Sequence, residues 1–452
     1  MLKQVAVLLS CLSSLSALSL QEAERQALQS NVAIRLTEQD VRQHDLQRLQ
    51  SILSWLPEVT FGSMYAKLQK SQRISHLQRQ NHLFSNQFAL TQPIFSPDLL
   101  GDLKLSKIAQ QGAMAGQEMA INDTLFQVRM LYLDVLVKQK TVDVEKQVIA
   151  YLNTAFEDEQ KKYQSGSGTT LLVSQAKSAL SQEITKYYNA LKESSDAKQQ
   201  FILTLHLEPD AAKDLQLDDT IGVKDYPLLE EKLAMLKKAV GTDIAQPASL
   251  ENSFSLFSPD EIQNWIVTAR QNRPELKRSQ IYVQAAQAKS HQSKTQYLPK
   301  ISAFVDYGYY EPINGQFLRQ RNDFAGGVQL SWSLFDSFKR EAKVLEISAL
   351  RKAAGIAYQY ESDKVEMTIR NDIHQIEEAL FAYLTAADSA DLAQQALEET
   401  RVRLSSGSVA QQEMQNACRL FAQAQLYRQQ AEFNFLKSYF QLRHDAGLDA
   451  HF

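Results

Sequence analysis

The sequence predicts a mainly helical fold that also carries membrane-type β hairpins. The fold is written as two copies of one unit: a strand hairpin followed by a very long coiled-coil helical hairpin. Three observations predict it. Short motifs return at a fixed offset, short segments alternate with a period of two, and a 3.5-residue apolar rhythm persists across long stretches without glycine.

Composition narrows the class first. The chain has 452 residues, 44% of them apolar, and a formal net charge of −4, which provides no basic surface for a nucleic-acid partner. Only 15 glycines and 10 prolines occur, so turns are few and elements long. No stretch of the mature region reaches the roughly 18 consecutive apolar residues of a membrane-spanning helix.

The duplication is read from paired motifs. Trp55-Leu56-Pro57-Glu58-Val59-Thr60 is echoed by Tyr297-Leu298-Pro299-Lys300-Ile301-Ser302, and Gln29 to Ile34 by Gln271 to Leu276. Leu90, Ile94 and Phe95 match Leu330, Leu334 and Phe335, while Gln164-Ser165-Gly166-Ser167 matches Ser405-Ser406-Gly407-Ser408. Two long halves in one register describe a duplicated unit rather than a solenoid of short repeats. The halves run about 20–205 and 259–450. Between them, 206–258 holds Pro209, Pro227, Pro247, Gly222 and Gly241 and reads as a connector with one short helix around Leu228–Val240.

Each half contributes two strands, expected at about 59–68 and 83–95, then 301–310 and 324–335. In the second half Ile301, Ala303, Val305, Tyr307 and Tyr309 share one face, as do Phe324, Gly326, Val328, Leu330, Trp332 and Leu334. Such alternation, with aromatics at the rims, suits a strand between lipid and a polar lumen, and Tyr307, Tyr309, Phe324, Val328, Leu330 and Trp332 are its expected lipid-facing residues. Polar loops, Gln69–His82 and Glu311–Asn322, separate the strands. Four strands cannot close a barrel, and an open edge is not tolerated in lipid, so several chains must complete it.

Long helices are expected at about 97–163, 169–205, 336–404 and 409–445. Ile121, Leu125, Val128, Tyr132 and Val135 space by four and three, with Val142, Ile149 and Phe156 in phase; Val365, Ile369, Ile373, Ile376 and Leu380 repeat the rhythm. At about 1.5 Å per residue the first helix would span roughly 100 Å. Glycines at Ser165-Gly166-Ser167-Gly168 and Ser406-Gly407-Ser408 supply the turns that reverse each hairpin.

The N-terminus reads as a signal peptide over 1–19. Lys3 precedes an uncharged run from Val5 to Leu18, and Ala17-Leu18-Ser19 places small residues where a signal peptidase reads them. Leu8-Leu9-Ser10-Cys11 also loosely resembles a lipoprotein site, so lipidation of Cys11 is the alternative. Cys418, in a helical segment, reads as a packed free thiol.

Taken in order, these features resemble the TolC-like outer-membrane efflux family over nearly the whole mature chain. The resemblance is carried by Leu20-Gln21-Glu22-Ala23 with Ala27 to Asn31, and by Leu56-Pro57 and Leu298-Pro299. Pro93-Ile94-Phe95, Ser333-Leu334-Phe335-Asp336 and the tips at Gly166 and Gly407 complete it. It implies a homotrimer whose twelve-stranded barrel stands in outer-membrane lipid above a tube of twelve helices in the periplasm. It also implies a periplasmic adaptor (membrane fusion) protein and an inner-membrane transporter as partners. Energy would come from that transporter, since the chain has no phosphate-binding glycine loop. The hairpin tips Gly166, Gly168, Gly407 and Ser408 would face the adaptor. Aligned on Gly407, Glu413 takes one of the acidic positions that ring the periplasmic aperture in relatives, and Asn416 replaces the other. A solvated helix charge is the alternative for Glu413. The first tip, Gly168 to Leu172, lacks an acidic residue, and both tips depart from the family's apolar motif, which leaves the adaptor's identity open.

Nothing in the sequence suggests an enzyme or a cofactor or metal site. The eight histidines include no His-Glu-x-x-His pair, and no Gly-x-Ser-x-Gly occurs. His374 reads as a packed or surface residue, His76 and His82 as loop residues, and Glu377-Glu378 and Glu398-Glu399 as solvation. The competing classes are a coiled-coil scaffold, which has no use for an aromatic-rimmed apolar face, and a periplasmic adaptor, which normally carries one helical hairpin flanked by β-domains where this chain carries two hairpins and two short strand pairs.

Overall fold

A computed structural model describes residues 17–67, 82–207, 215–219, 221–240, 256–312, 321–405 and 411–449. In chain order the elements are α1 (Leu20–Ser30), α2 (Val32–Leu53), β1 (Glu58–Lys67), β2 (His82–Phe95), α3 (Pro97–Gln164) and α4 (Thr170–Leu205). There follow α5 (Pro227–Val240), α6 (Pro259–Asn272), α7 (Pro274–Thr295), β3 (Lys300–Pro312), β4 (Arg321–Ser331), α8 (Lys339–Ser405) and α9 (Gln411–Asp445). Cys11, His76, Gly407 and Ser408 lie outside the described residues.

The duplication holds at the level of breaks and caps. Asn31 separates α1 from α2, sending its N–H to Ala27 O, while its side-chain oxygen accepts from Ala33 N–H at 2.8 Å. At the matching place Arg273 sends its N–H to Ala269 O, and Pro274 starts the next helix, because proline disfavours helical geometry in the residue before it. One break uses an amide cap and the other a proline.

The chain forms two compact units. The first comprises residues 1–36, 118–274 and 362–452; the second comprises 37–117 and 275–361. Each draws on both halves of the sequence repeat.

The second unit holds one antiparallel sheet in the order β1-β2-β3-β4, with β2 and β3 joining the two halves. β4 ends at Ser331, short of the expected 335. Its ladder stops where β3 starts, with Lys300 opposite Ser331, and the preceding Pro299 has no N–H to extend it. The chain then turns through Ser337 and Phe338, both at positive φ (59° and 63°), before α8 begins at Lys339 rather than 336. Arg340 braces this turn, donating to the Asp336 carboxylate at 3.0 Å and to Leu334 O at 3.3 Å.

The first unit is helical and holds three apolar clusters. One gathers Ile369, Ile373, Ile376 and Leu380 of α8 with Phe435 and Phe440 of α9 and Ile266 of α6. Another joins Ala23 and Ala27 of α1 to Val128, Tyr132 and Val135 of α3 and to Phe201 of α4. Further along α3 the buried seam moves to Val144, Val148, Leu152 and Ala155, while the expected Val142, Ile149 and Phe156 are half-buried. Val144, Val148 and Leu152 pack with Leu397, Met414, Cys418 and Phe421, so α3 has gained a second set of neighbours on an adjacent stripe. Gly447, at φ +69°, ends α9 in a left-handed turn: Leu448 N–H reaches Arg443 O at 3.0 Å. A Cβ on Gly447 would lie 2.7 Å from the Asn272 carbonyl carbon, so only glycine fits.

Candidate functional site

The register of the sheet sorts its side chains into two faces. Val59 and Phe61 of β1 stand opposite Leu90 and Phe88 of β2. Leu90 and Phe88 stand opposite Val305 and Tyr307 of β3, and Tyr307, Ala303 and Ile301 opposite Phe324, Val328 and Leu330 of β4. Directly paired residues share a face, so these make one continuous apolar surface across all four strands. The Phe61 and Phe88 rings lie 4.7 Å apart on it. The opposite face carries Thr60, Gln87, Ser302, Asp306 and Gln329 beside Phe304 and Met64.

Among the described residues, no element of this unit covers the apolar surface. Phe324 is 73% exposed, Val328 67% and Leu330 61%, with Trp332 and Tyr307 also exposed. Trp332 lies one residue past the strand and donates its indole N–H to Tyr297 O at 3.0 Å. Tyr309 belongs to β3, but its side chain lies outside the described residues. Such a large exposed apolar face is a stable end state only when lipid or protein covers it. Both outer strands, β1 and β4, have no second strand neighbour among the described residues.

The first hairpin tip is built on two glycines with different duties. Gly166 adopts φ +78° with open space around it, so its requirement is conformational. Gly168 has no room instead: an added Cβ would lie 2.8 Å from Tyr163 N. The N–H groups of Ser167 and Gly168 both reach Lys162 O at 2.9 Å, and Thr169 then caps α4 by accepting from Leu172 N–H. Glu413 and Asn416 lie in the first turns of α9, both exposed and three residues apart on one face. Met414 and Cys418 turn inward from the same helix. A carboxylate in a helix's first turn also complements the positive end of the macrodipole.

Several charged residues that sequence reasoning assigned to solvent, or passed over, are buried. Arg129 of α3 is only 4% exposed; its Nε donates to Glu24 of α1 at 2.5 Å and its Nη1 to Asp449. Burial opposes its charge, but the two carboxylates outweigh that and hold the guanidinium above its ordinary value. Asp372 of α8 lies buried against Asp445, whose Oδ1 accepts from Arg273 at 3.0 Å. Burial first, and the neighbouring carboxylate second, push Asp372 up to about 8. Glu145 of α3 faces Glu183 of α4 in the same way and is likewise raised to about 8, first by burial. Glu377 is a further correction: it is half-buried and accepts from Leu256 N–H at 2.8 Å, so it anchors the connector's end rather than solvating a face. The available signal was positional, since Arg129 and Glu145 each adjoin a core valine in sequence.

The remaining candidates are ordinary surface or core. His374 is exposed beside Glu377, and Glu398 and Glu399 pair with Arg401 and Arg403 on the helix surface. Burial raises the Cys418 thiol to about 12, which makes it an unreactive packing residue. No helix among the described residues is long and apolar enough to cross a membrane.

Comparison with known proteins completes the assignment. Over 177 residues the chain is 28% identical to "Outer membrane protein TolC" of Salmonella enteritidis, and over 180 residues 29% identical to that of Escherichia coli (strain K12). Each alignment covers 37% of this chain and 34% of the relative, so the matched part spans about a third of those proteins. The fold is that of the VceC outer membrane protein of Vibrio cholerae (TM-score 0.74, 13% identity, 95% of this chain and 96% of that one). It is also that of the Campylobacter jejuni CmeC outer membrane channel (TM-score 0.72, 14% identity, 95% and 86%). The family described as "Outer membrane efflux protein" matches residues 24–203 and 265–447, and with most of both repeats inside that match, the chain belongs to this family.

Proposed function

We propose that this chain assembles as a homotrimer into a passive export duct of the outer membrane, the outermost component of a tripartite efflux or type I secretion system. The observation that carries the proposal is the four-stranded sheet with one continuous apolar face and two outer strands that have no second strand neighbour among the described residues. A sheet of this kind satisfies its backbone in lipid only by closing against copies of itself. Three copies supply twelve strands, the number the family resemblance implies. The apolar face then meets lipid, and the face with Thr60, Gln87 and Gln329 lines the lumen. A scaffold has no place for such a surface, and an adaptor normally carries one helical hairpin rather than two.

The proposal extends to the ends of the molecule. An N-terminal leader acts in export of the chain, and the tips at Gly166, Gly168, Gly407 and Ser408 meet a periplasmic adaptor coupled to an inner-membrane transporter. Glu413 lines the periplasmic aperture together with Asn416. Three symmetry-related Glu413 carboxylates repel one another and favour cations at a constriction. Unboiled gel mobility, native mass and planar-bilayer conductance of the protein from outer membranes test this reading. A three-chain particle with low, cation-preferring conductance is expected; a soluble monomer without conductance would overturn it. Glu413→Ala should raise conductance or weaken cation preference, and unchanged single-channel behaviour would make Glu413 an ordinary surface charge.

A further inference from the structure

The first described residues are tied closely into the helical unit. Leu18 forms a parallel bridge with Leu217: its N–H donates to Gln216 O at 2.8 Å, and its carbonyl accepts from Asp218 N–H at 3.1 Å. The hydroxyl of Tyr132, a fully buried side chain, reaches the same Leu18 carbonyl at 3.0 Å and the Asp218 carbonyl at 2.9 Å. The Leu18 side chain packs on the cluster of Ala23, Ala27, Val128 and Phe201. Ser19 completes a reciprocal cap on α1. Its hydroxyl accepts from Glu22 N–H at 3.3 Å, and its own N–H donates to the Glu22 carboxylate at 3.0 Å. That backbone bond first, and the hydroxyl second, hold Glu22 below its usual value.

Cleavage after Ser19, the position suggested by Ala17-Leu18-Ser19, would remove all of this. The bridge to Leu217, an acceptor of the buried Tyr132 hydroxyl and both halves of the cap would go. A new α-ammonium would also appear on Leu20, the first residue of α1, at the positive end of the helix macrodipole. The residues just upstream offer a different cut. Ser14 and Ser16 are small at the two positions a signal peptidase reads, whereas cutting after Ala17 would present Leu15 at the outer one.

We propose that signal peptidase hydrolyses the Ser16–Ala17 bond, so that the mature chain begins at Ala17 and keeps Leu18 and Ser19 as structural residues. Water adds across that amide: the leader leaves with the Ser16 carboxylate and Ala17 takes the new ammonium. The inference rests on the export reading above.

Intact mass and the N-terminal peptide of protein purified from outer membranes test it. A chain beginning at Ala17 is the expected result. A chain beginning at Leu20, or at an acylated Cys11, would overturn the cleavage assignment while leaving export in place. A chain retaining Met1 and absent from the envelope would overturn both. Paired variants give a second readout in whole cells: Ser16→Trp should block cutting before Ala17, while Ser19→Trp should be processed as in the parent. The reverse pattern would place the cut after Ser19.

Discussion

Asp372 and Asp445 show how a single proton enters the stability of the helical unit. Two buried carboxyls in contact cannot both ionise cheaply, and Arg273 already serves Asp445, leaving Asp372 to hold the proton. The folded state therefore binds a proton that the unfolded chain releases at the ordinary aspartate value. Stability from this group is fully present below about pH 4 and is lost as pH rises through about 8. The slope attributable to it approaches about 1.4 kcal/mol per pH unit within that window. Asp372→Asn mimics the protonated form, so denaturation of the variant followed from pH 5 to 8 should have a shallower dependence than the parent. Parallel curves would show that no proton is held there. Glu145 with Glu183 acts in the same direction and remains in both proteins, so the difference isolates Asp372. Such pairs were not legible in the sequence, where Asp372 occupies one more polar position of an amphipathic helix.

At the scale of elements, the first hairpin tip separates two reasons for requiring glycine. Gly166 has space but a left-handed backbone, whereas Gly168 lacks room for a Cβ. Asparagine tolerates the left-handed region better than other residues, while it cannot shrink below its own Cβ. Gly166→Asn should therefore cost well under the 1–2 kcal/mol of a generic left-handed residue. Gly168→Ala should cost about 1–3 kcal/mol, in the manner of an overpacked core. Hydrogen exchange at the tip of the full-length protein reads the difference. Equal protection in both variants would mean that the tip relaxes freely around residue 168. The sequence marked both glycines as a turn, yet which one is conformational and which steric depends on where Tyr163 returns. The strands follow the same rule. Alternation continues in the sequence through Leu334, but β4 stops at Ser331 because its partner stops at Lys300.

For the whole molecule the decisive feature is the two-faced sheet. Val328 and Gln329 are adjacent in β4 and point to opposite faces. A lysine on the lipid side of a transmembrane strand costs about 2–4 kcal/mol per copy near the bilayer centre, whereas a lumen-side lysine is solvated. Val328→Lys should therefore strongly reduce the heat-modifiable oligomer recovered from outer membranes, and Gln329→Lys should leave its yield nearly unchanged. Equal yields would show that the apolar face does not meet lipid.

Taken alone, the sequence determined the duplicated plan, the four strands and the long helices of each half, the proline-marked strand entries and the glycine tip. These depend on local periods of two and 3.5 residues and on the backbone limits of single residue types, all contained within a few positions of the chain. Tertiary structure alone decided that Arg129 meets Glu24 and Asp449, that Asp372 meets Asp445, that the α3 seam moves to Val144 and Val148, and that Leu18 and Ser19 belong to the folded body. Those outcomes depend on which distant segments come together, and no local period encodes which partner a side chain will meet across 105 or 320 positions of sequence.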